Sequence, residues 1–117
     1  MATDLSKFQE VLEAIEKARA KAFSAVSDDD VTIATDDQDA YPRGIALAID
    51  RKDPRWFALR FLSKHLNWVS LVTRTKHLHI TPPCPLRFHS TEIGYLEVLS
   101  SSLNESGIKC SADVYYR

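Results

Sequence analysis

The sequence predicts an α+β domain, with a mixed or antiparallel sheet of about four or five strands and about three helices packed on it. Three stretches have the three- and four-residue apolar spacing of amphipathic helices, and short β-branched runs bounded by Pro, Gly and Asp occur between and after them. The chain has 117 residues, of which 44% are hydrophobic and 26% charged. That length fits one domain with a real core, so residues 1–117 are expected to form a single domain.

The first predicted element is a helix from about residue 4 to about residue 25. Ser6 and Gln9 have the spacing of a capping box, and Glu13 precedes Lys17 by one helical turn. The apolar positions that define its buried face are Leu5, Phe8, Leu12, Ile15, Ala22 and Val26.

Two strands and a second helix follow. VTIAT (31–35) and GIALAID (44–50) have strand composition, and Asp53-Pro54 is a favourable helix start. The second helix is predicted to end near Asn67, with Arg60 and Lys64 outward. Its predicted inward residues are Phe57, Ala58, Phe61, Leu62, His65 and Leu66.

The second half adds strands at 68–73 and 77–81, the latter ended by prolines, and a short extended piece at 86–88. A third helix is predicted to begin at Ser90 and to end at Gly107, a residue suited to the C′ position. Alternating apolar residues then predict a final strand over 108–116. The predicted order is α-β-β-α-β-β-α-β.

Charge is distributed unevenly along the chain. The formal net charge is −1, but the acidic N-terminal half, residues 1–50, carries five Lys/Arg against eleven Asp/Glu. The basic segment, residues 51–90, carries eight Lys/Arg, all four histidines and a single acid, Asp53. A basic block of this kind is typical of a polyanion partner, and it is also compatible with a charge match to the acidic half.

The first hypothesis is therefore a non-enzymatic domain that binds nucleic acid through its phosphates, with Trp56, Trp68 or the histidines stacking on bases. The residues assigned to this site are Arg51, Lys52, Arg55, Arg60, Lys64, Arg74, Lys76, His77 and His79.

The alternative is a protein-binding module of the inhibitor, immunity or antitoxin type, which would use the first helix and Asp-rich loops as an acidic docking surface. Homodimerisation through the oppositely charged halves is a variant of this hypothesis. The acidic residues assigned to it are Asp28, Asp29, Asp30, Asp36, Asp37 and Asp39.

A third hypothesis is a divalent-metal-dependent nuclease. His77 and His79 share one side of a strand, and Cys84 and His89 lie nearby as further zinc-type ligands. The sequence HLHI also resembles the metal-binding strand of rolling-circle replication initiators and single-strand transposases. This resemblance implies a metal held by the two histidines and a tyrosine nucleophile, for which Tyr95 is suitably placed.

Asp50 and Lys52, preceded by Asp36, Asp37 or Asp39, form a second arrangement seen in nucleases that hold Mg²⁺. A polar turn between strand and helix explains the same residues and is the favoured interpretation.

Other residue counts restrict the function further. The chain has only three, widely separated glycines, which excludes a Gly-rich nucleotide-binding loop. No secretory leader and no apolar stretch of membrane-spanning length is evident, so we expect a cytoplasmic protein with two free thiols, Cys84 and Cys110, and no membrane partner. No cofactor is expected.

Overall fold

A computed structural model describes residues 5–26, 40–86 and 89–116. Three helices and four strands lie in these ranges. They are α1 (Leu5–Ala25), β1 (Ala40–Leu47), α2 (Pro54–His65), β2 (Val69–Val72), β3 (His77–Ile80), α3 (His89–Glu105) and β4 (Cys110–Tyr116).

The strands form one antiparallel sheet in the order β2-β3-β1-β4. After α1, the chain follows a β-α-β-β-α-β path, and each helix links strands that are not neighbours. This is the split βαβ, or ferredoxin-like, arrangement. It places β1 and β3 at the centre of the sheet, although β1 and β4 are far apart in the sequence.

All three helices contribute to one core on a single side of the sheet. Ile45 and Leu47 of β1 and Leu78 and Ile80 of β3 point into this core. Alternation along a strand therefore places the residues between them on the opposite side. We call that opposite side the open face.

Local sequence features explain the helix boundaries. The Asp53 side chain accepts a hydrogen bond from the backbone N–H of Arg55, and Pro54 occupies the first turn of α2. At the end of α3, Gly107 has a φ of 89°, a left-handed conformation that closes a helix easily when the residue is glycine.

The predicted α+β class is confirmed, with three helices and a four-stranded antiparallel sheet in roughly the predicted order. The predicted strand at 31–35 lies outside the described residues. Of the predicted extended piece at 86–88, only Leu86 is described, and it belongs to no strand.

The predicted inward face of α2 is confirmed for Ala58 and Leu62 but is wrong for three other residues. Trp56, Leu59 and Leu62 are buried together with Ala58, whereas Phe57 and Phe61 are 52% and 50% exposed and His65 is also exposed. The helix has two competing apolar repeats, and packing against the sheet selects the one that buries the indole of Trp56. A single amphipathic pattern could not decide between them.

Candidate nucleic-acid interface

The open face of the sheet carries a distinctive set of side chains. Imidazole rings come from β3, and phenol rings come from β1 and β4, where Tyr41 and Tyr115 are register partners. Arg43 lies at a register irregularity in β1, and its guanidinium is 4.6 Å from the centre of the Tyr115 ring. The residues of the open face are Tyr41, Arg43, Gly44, Ala46, Ser70, Val72, His77, His79, Ser111, Asp113 and Tyr115.

A hydrogen bond crosses the middle of this face. Nε2 of His77 on β3 is 2.7 Å from Oδ2 of Asp113 on β4, although β1 lies between the two strands. The contact is possible because β1 presents only Gly44 and Ala46 here, and neither has a side chain large enough to separate the pair. Because a carboxylate only accepts hydrogen bonds, Nε2 of His77 is the donor in this contact.

His79 has different surroundings. Its ring lies on the backbone of β1, where a Cβ on Gly44 would be 2.8 Å from Cε1 and 2.9 Å from Nδ1. Burial, and secondly the positive charge of nearby His77, lower the pKa of His79 from its usual 6.5. No hydrogen bond joins the His79 ring to another described residue.

A cluster of cations, which we call the basic end, lies where β1 leads into α2 and β2 turns into β3. It consists of Arg51, Lys52, Arg74 and Lys76. Arg51 donates to the backbone oxygen of Arg74 at 3.4 Å, and Lys76 donates to the backbone oxygen of Ile49. These contacts join two loops that are more than twenty residues apart in the sequence.

The two acids beside the basic end are engaged in local structure. Asp50 accepts a hydrogen bond from the backbone N–H of Lys52 at 2.7 Å, and Asp53 caps α2. Lys52 and Arg74 are exposed, and no ion pair joins either side chain to a described residue. The basic end therefore presents positive charge at the edge of the open face, next to His77.

A cleft of about 370 Å³ adjoins the opposite end of the open face. Arg43, Gly44 and His79 form one wall, and the proline-containing loop after β3 and the first turns of α3 form the other. His79 is therefore shared between the open face and the cleft.

Comparison of the chain with protein-family models, with curated protein sequences and with solved structures gives no match.

The structure separates the residues assigned to nucleic-acid binding into three groups. Arg51, Lys52, Arg74, Lys76, His77 and His79 lie at the basic end or on the open face. Arg60 and Lys64 are exposed on α2. Arg55 is held by Asp53, at 3.7 Å, and by the backbone oxygen of Gly107.

The tryptophans are poorly placed for stacking on bases. Trp56 is buried beneath the basic end, where Arg51 and Lys76 lie 5.3 Å and 5.8 Å from its ring centre. Trp68 is covered by Arg19, whose guanidinium is 4.6 Å from its ring centre. Both indoles instead support cations through cation–π contacts.

The sequence-based prediction does not include four residues of the open face, which are Tyr41, Arg43, Asp113 and Tyr115. They lie outside the basic segment, and only the pairing of β1 with β4 brings them beside the histidines. The sequence contains a signal for part of this site. Ser111, Asp113 and Tyr115 alternate along the last strand, and this alternation predicts that their side chains lie on the same side of the sheet.

The metal-dependent hypotheses receive no geometric support from the described residues, which do not include Asp36, Asp37 or Asp39. Within residues 5–26, 40–86 and 89–116, no three His, Cys, Asp or Glu side chains lie close enough together to hold a metal ion. Tyr95 is buried on the helical side of the sheet and donates to the backbone oxygen of Ile80 at 2.9 Å. Burial raises the pKa of Tyr95 to about 12, which is unfavourable for a nucleophile.

The acidic surface of the protein-binding hypothesis cannot be placed, because all six of its Asp residues lie outside the described part of the chain. Helix α1 itself, over Leu5–Ala25, carries three Glu and four Lys/Arg. Its net charge is thus not negative.

Two further observations concern the cysteines and the helices. Cys84 and Cys110 are both free thiols, and burial raises the pKa of Cys110 to about 11. None of the helices in the described ranges is long and apolar enough to cross a membrane.

Proposed function

We propose that this protein binds single-stranded nucleic acid across the open face of its sheet. The observation that carries the proposal is the combination of aromatic and imidazole rings on that face with the cations of the basic end at its edge. Single-strand binding proteins combine stacking platforms with positive charge along the backbone path in this way. A double helix, in contrast, hides the faces of its bases inside the stack.

The chemistry of the open face supports stacking. Tyr115 is 45% exposed, and Arg43 lies over its ring. Tyrosine rings, histidine rings and guanidinium planes all stack on bases that are not paired. By fold-level analogy, RNA-binding modules with a four-stranded sheet place aromatic side chains on the same kind of face.

The charge of the site supports phosphate binding. Asp113 is the one acid among the described residues of the open face, and His77 forms an ion pair with it when the ring is protonated. Asp50 and Asp53, the acids near the basic end, each accept a hydrogen bond from a backbone N–H group. A nucleic-acid strand following β1 and β3 would therefore meet tyrosine rings at one end and cations at the other.

The test is fluorescence anisotropy with labelled single-stranded RNA and DNA of about ten nucleotides, measured as salt is raised. Each phosphate contact on a single strand contributes about −0.7 to the slope of log K against log salt. K52A combined with R74A should reduce the slope by about 1.4, whereas K17A, an exposed lysine on α1, should not change it. Affinity that does not vary with salt would refute the proposal.

A stacking variant tests the other half of the site. Y115A should weaken binding by about 1–3 kcal/mol, the usual contribution of one stacked base, and should leave the salt slope unchanged. A Y115A variant that binds like the wild type would contradict the placement of bases on this face.

A second candidate function is protein binding through α2. Phe57 and Phe61 are half exposed and lie one turn apart, and Phe8 of α1 makes an edge contact with Phe61 at 5.1 Å between ring centres. The neighbouring Arg60 and Lys64, on a helix without acids, favour an acidic amphipathic partner helix. F57A and F61A should abolish capture of such a peptide while oligonucleotide binding is retained, and unchanged capture would exclude this surface.

A further inference from the structure

His77 and His79 share the open face but differ in what their ring nitrogens contact. Nε2 of His77 is bonded to Asp113, which leaves Nδ1 without a partner among the described residues. For His79, Cε1 and Nδ1 face Gly44, so Nε2 is the nitrogen farther from the β1 backbone. One ring is thus held by a carboxylate, whereas the other lies in surroundings that lower its pKa.

The spacing of the two residues along β3 allows one nucleotide linkage to lie between their rings. Residues two apart on a strand are separated by about 6.8 Å along it. A 2′-hydroxyl that donates to one ring and a phosphate ester oxygen that accepts from the other, each at about 2.8 Å, can be accommodated at that spacing. Arg43, on the wall of the cleft next to His79, is placed to stabilise negative charge on the phosphate oxygens.

From this geometry we propose that His77 and His79 act as the acid and the base of a metal-independent cleavage of single-stranded RNA. This inference rests on the proposed function, because the RNA must first lie on the open face. The substrate class is RNA, since the reaction uses the 2′-hydroxyl group that DNA lacks.

The step is a transesterification within the RNA. The 2′-hydroxyl gives its proton to Nε2 of His79, and its oxygen forms a bond to the adjacent phosphorus. The bond from phosphorus to the 5′-oxygen breaks, and that oxygen takes the proton from Nδ1 of His77. The products are a 2′,3′-cyclic phosphate and a 5′-hydroxyl, and proton exchange with water restores both imidazoles.

Asp113 is a positioning residue in this scheme. Its carboxylate accepts from Nε2 of His77 and so fixes which nitrogen of that ring faces the substrate. Among the described residues, the charged groups around His79 are Arg43 of β1, His77 of β3, Asp113 of β4 and Glu92 of α3, while its register partner on β2, Ser70, is neutral. Loss of activity at low pH is therefore expected, because His79 must be unprotonated to act as the base.

The experiment incubates the full chain with a labelled single-stranded RNA in the presence of EDTA and separates the products. A parallel reaction uses the all-deoxy strand of the same sequence. We expect cleavage of RNA alone, with cyclic phosphate ends. At protein concentrations that saturate the RNA, H77Q and H79Q should each reduce the cleavage rate by at least about 100-fold, while thermal unfolding stays close to that of the wild type. D113N should lower kcat by a larger factor than it changes KM.

The matched control is H65Q, which replaces an exposed histidine on α2, away from the open face. It should cleave as the wild type does. Binding of RNA without cleavage would overturn this inference and leave the proposed function standing. Cleavage that persists in H77Q and H79Q would also overturn it, whereas absence of binding to RNA and DNA alike would overturn both proposals.

Discussion

Substitution of Gly44 tests whether the His79 ring packs closely against the backbone of β1. Gly44 has a φ of 126°, a conformation that L residues rarely adopt. In G44A the added methyl group would lie 2.8 Å from Cε1 of His79 and 3.2 Å from the backbone oxygen of Leu78. The substitution therefore introduces backbone strain and also expels the imidazole ring from its position.

The expected loss of stability follows from these two effects. Backbone strain at such a position costs about 1–3 kcal/mol. The ring can escape by rotating about its side-chain bonds, so the steric contribution should be the smaller one. The resulting loss corresponds to a fall of about 4–12 °C in the melting temperature of a domain of this size.

Gly94 is the matched control for this experiment. A Cβ on Gly94 would be 3.4 Å from Cγ1 of Val26, an ordinary contact, and the residue lies inside α3. Because alanine is the better helix former, G94A should raise stability by about 0.5–1 kcal/mol.

Thermal and urea unfolding of the two alanine variants, with H79A and the double variant G44A/H79A, measures both effects. The cost of G44A should be somewhat smaller in the H79A background, because the ring is no longer there to be displaced. A G44A protein as stable as the wild type would refute the described path of β1 beneath His79.

Three further outcomes are expected. L59A should lower the free energy of unfolding by about 2–5 kcal/mol, because Leu59 is 0% exposed. F57A, at a half-exposed position, should lower it by less than about 1 kcal/mol. Similar losses for the two variants in urea unfolding would show that the buried face of α2 is wrongly assigned. Y95F should cost about 1–2 kcal/mol, because the backbone oxygen of Ile80 loses its buried donor, and an unchanged melting temperature would contradict that bond. The folded-state pKa of His79 is lowered, so the unfolded chain binds a proton that the folded chain does not. Stability should therefore fall as the pH is lowered from about 6.5, and H79Q should reduce this fall in a series of melts.

Local patterns were sufficient for several element boundaries, although β1 spans Ala40–Leu47 and not the predicted 44–50. The Asp53-Pro54 start of α2 and the Gly107 end of α3 depend on the backbone chemistry of a few adjacent residues, and the structure contains both as predicted. The strand HLHI likewise alternates as expected, with Leu78 and Ile80 buried and the two histidines on the other side.

The full set of site residues could not be predicted, because it depends on which strands pair across the sheet. A single sequence does not specify that pairing. His77 meets Asp113 only because β4 pairs with β1 and β1 carries small residues at the crossing point. Neither the register nor the identity of the neighbouring strand follows from the pattern of either segment alone. The basic segment was identified from charge, but the acid and the aromatic residues that complete the face lie outside it.

The division of the basic segment between two surfaces also narrows the choice of partner. Arg60 and Lys64 accompany exposed phenylalanines on a helix, whereas the basic end accompanies rings on a sheet face. Phenylalanine side chains on a helix offer apolar surface and no hydrogen-bonding groups. They therefore favour a partner that has a row of apolar side chains. Rings lying along flat strands, with cations at the strand ends, instead match a flexible chain whose bases can spread out one after another. One chain can present both surfaces without competition between them, because they belong to opposite sides of the sheet. Variants on α2 should therefore leave oligonucleotide binding intact, and variants on the open face should leave peptide capture intact.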